Sequence, residues 1–251
     1  GVTAGSETYT VEVTLGPDTV TSDPVALTVL ALATDAYNNL ITAAGPLAYW
    51  RLGEATGSVV AVDQMGSFDA DILSNTVLAV SGALVGDADT AMEFPGTSKV
   101  ELFDPFGLMT DQFTVEFWAL SSGGSGFRSP ITCRDLDATS GQRWGWTFYA
   151  NGSNQWQFDS YDGTVGPWNS IVGPAVAQGQ WTHVVGTYDG TDMNLYVNGS
   201  LAGTVANAPY VLNDLTPLWI GSGATEAGSG QAGSFPWAGK VDEVAIYDRA
   251  P

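Results

Sequence analysis

The sequence predicts an all-β protein, a meander or jelly-roll sandwich, and three observations carry that expectation. First, apolar residues recur at every second position over several runs: Phe113, Val115 and Phe117 alternate with Thr114 and Glu116, and Met193, Leu195 and Val197 alternate with Asn194 and Tyr196. A period of two marks antiparallel strands with one face buried. Second, Asn151-Gly152, Asp162-Gly163, Asp189-Gly190 and Asn198-Gly199 fall between such runs, where residues that tolerate positive φ close tight hairpins. Third, only one stretch has helical spacing. At 251 residues with 44% hydrophobic content, the chain is long and apolar enough to bury a full sandwich core.

Taken in order, Thr8 to Val13 and Asp23 to Leu30 are β-rich runs around a Gly16-Pro17-Asp18 turn, which reads as a hairpin. Two strands alone are marginal in water. The segment resembles the last strands of an immunoglobulin-like domain, so residues 1–32 are expected to be the end of such a domain or an accessory hairpin. Residues 33–45 form a linker. Within it, Tyr37, Leu40 and Ile41 share a helical face, Thr34 or Asp35 offers an N-cap, and Gly45-Pro46 a stop. Residues 46–251 make the main domain. The start at Gly1 and the end at Pro251, directly after a strand, are expected to be cut edges of a longer multidomain protein.

Charge narrows the partners. There are 27 acidic residues against 7 Lys plus Arg, a formal charge of -20 with no basic run, so phosphate backbones and anionic membranes are repelled. Such a surface suits divalent cations, neutral glycans and a salty exterior, where ions screen its self-repulsion. No apolar run reaches the roughly 20 residues a spanning helix needs. The single cysteine, Cys133, excludes an intrachain disulfide.

Five phrases carry a family resemblance: PLAYWRLGE (Pro46 to Glu54), ALVGDADTAMEFPG (Ala83 to Gly96), FTVEFW (Phe113 to Trp118), QWTHVVGTYDGTDMNLYVNG (Gln180 to Gly199) and GKVDEVAIYDRA (Gly239 to Ala250). Together and in this order they resemble the laminin-G-like branch of the concanavalin A-like sandwiches. The resemblance implies a concanavalin A-like jelly roll with an N-terminal β-hairpin and a short linker helix. It also implies an extracellular, mostly non-catalytic binding module that uses calcium.

Candidate site residues fall into two groups. In the run Val241 to Tyr247, strict alternation would put Asp242 on the face of Val244 and Ile246, aiming a carboxylate at the apolar side. A buried charge needs compensation, and with so few cationic residues a Ca²⁺ ion, which takes six to eight oxygens, is a natural partner. Related sandwiches hold a structural Ca²⁺ where the closing strand meets the opening loops. That likeness offers Glu54, Asp63 and backbone oxygens near Gly66 and Gly96 as fellow ligands, the alternative being that Asp242 caps a turn or accepts backbone N–H groups. The second group lies in the aromatic band from Arg143 to Trp168. Alternation assigns Trp144, Trp146, Phe148, Trp156 and Phe158 to the core, which leaves Tyr149, Tyr161 and Trp168, with Arg143 nearby and Trp237 beyond the band, as sugar-stacking candidates.

The signals for catalysis are weak. His183, the only histidine, has no partner visible in sequence and reads as structural, and Cys133 reads as an inert thiol. Glycosidases need two carboxyl groups about 5–10 Å apart, but the run Phe113 to Leu120 holds only Glu116, and Asp135 and Asp137 sit in a turn-like stretch. Gly221 to Gly233 reads as a surface loop. Asn151-Gly-Ser and Asn198-Gly-Ser match the glycosylation triplet by chance. The expectation is therefore a secreted or cell-surface module that binds a glycan or cell-surface polysaccharide. The alternative is a structural or adhesive spacer that contacts neighbouring domains of the same protein.

Overall fold

The computed structural model describes residues 5–9, 12–15, 17–22, 25–29, 36–73, 75–213, 217–224 and 232–250. The strands β1 (Gly5–Tyr9), β2 (Glu12–Leu15), β3 (Asp18–Thr21) and β4 (Val25–Val29) precede the helix α1 (Ala36–Ala44). Then follow β5 (Ala48–Trp50), β6 (Val60–Ala61), β7 (Ala70–Ile72), β8 (Val77–Ser81), β9 (Thr90–Pro95), β10 (Val100–Leu102) and β11 (Phe113–Ser121). Next come β12 (Arg128–Leu136), β13 (Arg143–Ala150), β14 (Gln155–Asp162), β15 (Asn169–Ala175), β16 (Trp181–Tyr188), β17 (Met193–Val197) and β18 (Ser200–Val205). The chain closes with β19 (Leu218–Ile220), β20 (Gly223–Ala224), β21 (Ala232–Ser234) and β22 (Ala238–Tyr247).

Two antiparallel sheets face one another. One has the order β15-β14-β13-β12-β19-β10-β7-β6, the other β18-β17-β16-β11-β22-β9-β8 with β5 also paired to β22. The opening and closing phrases are thus one strand pair, with Val244 opposite Trp50 and Ile246 opposite Ala48. Alternating residues of both sheets fill the space between them. Phe117 meets Phe148 edge-on at 5.1 Å, and Phe148 stacks on Phe158 at 4.4 Å between ring centres. Trp146 and Trp156 join this core as expected, whereas Trp144 is only half-buried and stands outside it.

Of the expected turn dipeptides one closes a two-residue hairpin, Gly163 and Gly190 take positive φ within longer links, and at Asn151-Gly152 the positive φ falls on Asn154 instead. Asn198 and Gly199 both have positive φ and form the two-residue link between β17 and β18, where Val197 pairs with Ser200. The N-terminal reading is refined: the two predicted runs resolve into four strands in two ladders, β1 with β4 and β2 with β3, reversing between Leu15 and Asp18. The candidate N-caps Thr34 and Asp35 lie outside the described residues. The predicted linker helix is docked. Ile41 is buried and Tyr37 packs with Tyr49, Ala245 and Tyr247 on the face of the second sheet turned away from the core. Gly45, at φ +65°, ends the helix, and Arg249 donates to the carbonyls of Ala44 and Gly45, placing a cation at the negative end of the helix dipole. The arginine of the closing phrase therefore holds the helix that precedes the opening one.

One irregularity matters for function. Opposite β11 the register of β22 slips by one residue between Glu116 and Trp118, and Glu243 has φ +52°. This is a β-bulge, and it inverts the alternation. Val241, Val244 and Ile246 face the core, while Asp242 pairs with Trp118 and stands on the opposite face. The expectation that Asp242 shares the face of Val244 and Ile246 is corrected, because the extra residue breaks the period of two on which it rested.

Candidate functional site

Asp242 is nonetheless buried, at 2% exposure, because the segment from Gly82 to Asp89 covers it. Its Oδ2 accepts the N–H of Ala83 at 2.7 Å, while Oδ1 is buried with no hydrogen-bond partner. Asp89, Asp242 and Glu243 each bring a carboxylate oxygen within 4.8 Å of the others. Arg51 crosses this cluster, reaching Asp87 at 3.2 Å, Asp89 at 2.9 Å and Glu243 at 3.0 Å, and the Tyr49 hydroxyl donates to Glu243. One guanidinium faces four carboxylates. The imbalance shows in the acids themselves: burial first, then Glu243 and Asp89, push Asp242 up to about 8, and burial and Asp89 also raise Glu243 and Glu54.

The expected fellow ligands are distributed differently. Asp63 is buried, but its two oxygens already accept four backbone N–H groups, from Tyr49, Met65, Ser67 and Phe68. It organises the turn after the opening strand. Gly66 lies in that turn, donating its amide to the carbonyl of Asp63, and Gly96 follows β9 with its Cα facing open space. Glu54 accepts the Val62 N–H through Oε1 and keeps Oε2 buried without a partner. The acids that do gather with Asp242 are Asp89 and Glu243. Sequence missed the cluster because the bulge brings Asp242 to the face that Glu243 shares with Ala245 and Tyr247, and because Asp89 lies in an irregular segment.

A second site lies on the outer face of the first sheet. Residues that alternate with the core positions Cys133, Phe148 and Phe158 project there, and Arg134, Gly145 and Tyr161 are aligned in register across β12, β13 and β14. On this face lies a pocket of about 200 Å³, with Arg134, Gln157, Asp159 and Ser170 at its polar base and Phe127, Tyr149, Tyr161, Trp168 and Phe235 as walls. Tyr149, Phe127 and Phe235 pack edge to face, and Trp168, 43% exposed, leans on Tyr161 with Arg143 stacked over its ring at 4.4 Å. Burial raises Asp159 to about 6 against the opposing effects of Ser170, Gln157 and Arg134.

Four of the five predicted aromatic-site residues therefore converge: Tyr149, Tyr161 and Trp168 as walls, Arg143 as the support of Trp168. Trp237 does not. It is fully buried, stacked on Trp156 at 6.0 Å with its indole N–H on the Lys240 carbonyl, so it is a core residue. Asp159 and Arg134 were not singled out. Asp159 is two residues before Tyr161 and so shares its face, a signal present in the sequence, whereas Arg134 enters only through the strand register.

His183 has a carboxylate neighbour after all. Glu116 of the adjacent strand lies 3.1 Å from its Nε2 and also accepts from the Tyr247 hydroxyl, on the face that carries Tyr37 and Trp118. Burial raises the Cys133 thiol to about 12, which keeps it protonated. Asp135 is part of β12 and buried, correcting the turn-like reading, while Asp137 holds the following turn through Thr139 and Ser140. Of the Gly-rich stretch, Gly223 and Ala224 pair with Ser234 and Ala232, and residues 225–231 lie outside the described residues.

The fold and these two sites define a lectin-like β-sandwich. A family model described as the concanavalin A-like lectin/glucanases superfamily, Laminin_G_3, matches residues 94–251, and the chain belongs to this family. No curated protein matches it in sequence. Among solved structures, the binding domain of Paraclostridial Mosquitocidal Protein 1 superposes with a TM-score of 0.60 at 14% identity, over 81% of this chain and 49% of that one. The Trypanosoma rangeli sialidase in complex with 2,3-difluorosialic acid gives 0.58 at 16%, over 83% and 31%. The CBM40 of Ruminococcus gnavus IT-sialidase bound to α2,3-sialyllactose gives 0.52 at 12%, over 64% and 91%. At these identities the likeness is one of fold, and the chain spans about a third of the sialidase and half of the toxin domain.

Proposed function

We propose that this domain is a non-catalytic carbohydrate-binding module of a larger secreted or surface protein, stabilised by calcium. The observation that carries the reading is the pocket on the first sheet, where aromatic walls surround a polar base whose Arg134 and Asp159 are buried and whose Asp159 is held by Gln157. Sugars offer apolar C–H faces to rings and hydroxyls to amides and charged groups. What supports the non-catalytic part is that Asp159 is the one carboxylate among the described residues of the lining, where most glycoside hydrolases set two acids astride the bond. The acidic surface favours an ion-rich exterior. Two of the structural neighbours are described with sialic-acid ligands, which makes glycans the first ligand class to test.

Calcium fits the Asp242 cluster. An orphaned buried carboxylate oxygen on Asp242, with Asp242 and Glu243 raised by burial first and by neighbouring acids after it, and a single arginine among four carboxyl groups are what a site for a hard divalent cation presents. Asp242 and Asp89 would hold the ion, with Glu243 fixed by Arg51 and Tyr49 behind them. Because Asp89 lies in the early part of the domain and Asp242 in the last strand, the ion would clip its two ends together. A glycan array with and without calcium tests both parts. Binding that Trp168→Ala weakens supports the pocket. A well-folded protein that binds no glycan in either condition would leave the spacer reading in its place.

A further inference from the structure

Resting on that reading, we infer that the pocket takes the single terminal ring of an uncharged sugar, with a pair of neighbouring ring hydroxyls set across Arg134 and Asp159. Size is the first argument. Sites for drug-sized ligands run to roughly 300–1,000 Å³, and a pocket of about 200 Å³ closed by Phe127, Tyr149 and Phe235 on one side and Trp168 on the other has room for one ring and not for a run of them.

Charge is the second argument. Arg134 and Asp159 are both almost fully buried, so the base is nearly neutral but sharply divided into a donor-only and an acceptor-only group. Neighbouring hydroxyls, each able to donate and accept, meet both. A carboxylate on the ligand would pair with Arg134 only by lying against the Asp159 carboxylate in a poorly solvated place, and it would approach against a formal charge of -20. The base is also preorganised. Gln157 accepts from Asn151 and donates to both oxygens of Asp159 at 2.9 and 3.0 Å, which fixes the carboxylate before any ligand arrives.

The geometry gives a pH signature. The titratable and charged groups facing Asp159 are Arg134 from β12, Tyr149 from β13 and Tyr161 from its own strand, while β15 contributes the hydroxyl of Ser170. With Asp159 at about 6, protonation turns the acceptor into a donor. The test is an array of neutral glycans and of sialic- or uronic-acid-terminated glycans at pH 7.5, followed by calorimetry of the full chain with the methyl glycoside of the terminal sugar so found. The expected result is binding confined to uncharged termini, a glycoside that binds within about threefold of the whole oligosaccharide, and roughly tenfold weaker binding at pH 5. Asp159→Asn should abolish that pH dependence. Preference for acidic termini, a tenfold or greater gain from further sugar units, or a wild-type affinity flat between pH 5 and 7.5 would overturn this inference and leave the lectin reading standing. Failure to bind any glycan would overturn both.

Discussion

Asp242 makes a quantitative case. Raising a carboxylate from its ordinary 3.8 to about 8 means that the folded state holds the proton far more tightly than the unfolded state. The stability this group confers is complete below pH 4 and is lost as pH rises towards 8. At about 1.4 kcal/mol per pH unit, the loss reaches on the order of 5 kcal/mol in metal-free protein. A bound calcium ion restores stability as RT ln(1 + [L]/Kd), about 2.7 kcal/mol at a hundredfold excess over Kd, or roughly 5–11 °C in melting temperature for a chain of this size. Asp242→Asn keeps the shape and the bond from the Ala83 amide but removes the charge. In chelator at pH 8.5 it should be about 2–5 kcal/mol more stable than the wild type, and it should not respond to calcium. Urea denaturation at pH 5.5 and 8.5, with calcium or with excess chelator, measures all four corners. A wild type whose stability is flat across this pH range and identical with and without calcium would refute both the buried-charge argument and the clip.

Further outcomes follow from neighbouring features. Arg51→Leu removes the cation that faces Asp87, Asp89 and Glu243, and it should cost about 3–5 kcal/mol in denaturant titration, as expected for stranding a buried charge. Gly186→Ala would put a methyl 2.4 Å from the Phe148 ring and 2.8 Å from Phe158, so overpacking should cost about 1–3 kcal/mol. Asn198→Ala loses the acceptor for the His183 backbone N–H and puts at φ +50° a residue without the polar side chain that lets asparagine tolerate the left-handed region, for a combined cost of about 2 kcal/mol in the same assay.

Most of the sandwich was legible because antiparallel strands with one buried face write their period into the sequence, and Asn-Gly and Asp-Gly mark where they reverse. The aromatic site was half legible for the same reason: Tyr149 and Tyr161 fall out of phase with the core stripe, and the structure shows them on the opposite face. What the chain does not display locally is anything set by register between strands. Arg134 reaches Tyr161 across Gly145, and Glu116 reaches His183 across a ladder, so neither pairing could be read from spacing. The bulge at Glu243 is a harder case. Nothing in DEV announces an extra residue, yet it decides which side of the sheet Asp242 occupies. Trp237, lying beyond the aromatic band, had no alternating neighbours to assign it a face, and the start of β22 draws it into the core against Trp156.

The pairing of β5 with β22 bears on how the molecule comes together. Tyr49 and Glu243, hydrogen-bonded partners, stand 194 positions apart in the sequence, and β22 occupies the middle of its sheet between β11 and β9. During synthesis the ribosome must deliver nearly the whole domain before that central slot is filled, and until then β11, β9 and β5 expose unsatisfied edges. Long-range closure of this kind folds slowly and invites edge-to-edge association. A nascent chain stalled before Ala238 should therefore depend on holding chaperones, and emergence of β22 should act as the trigger for cooperative collapse.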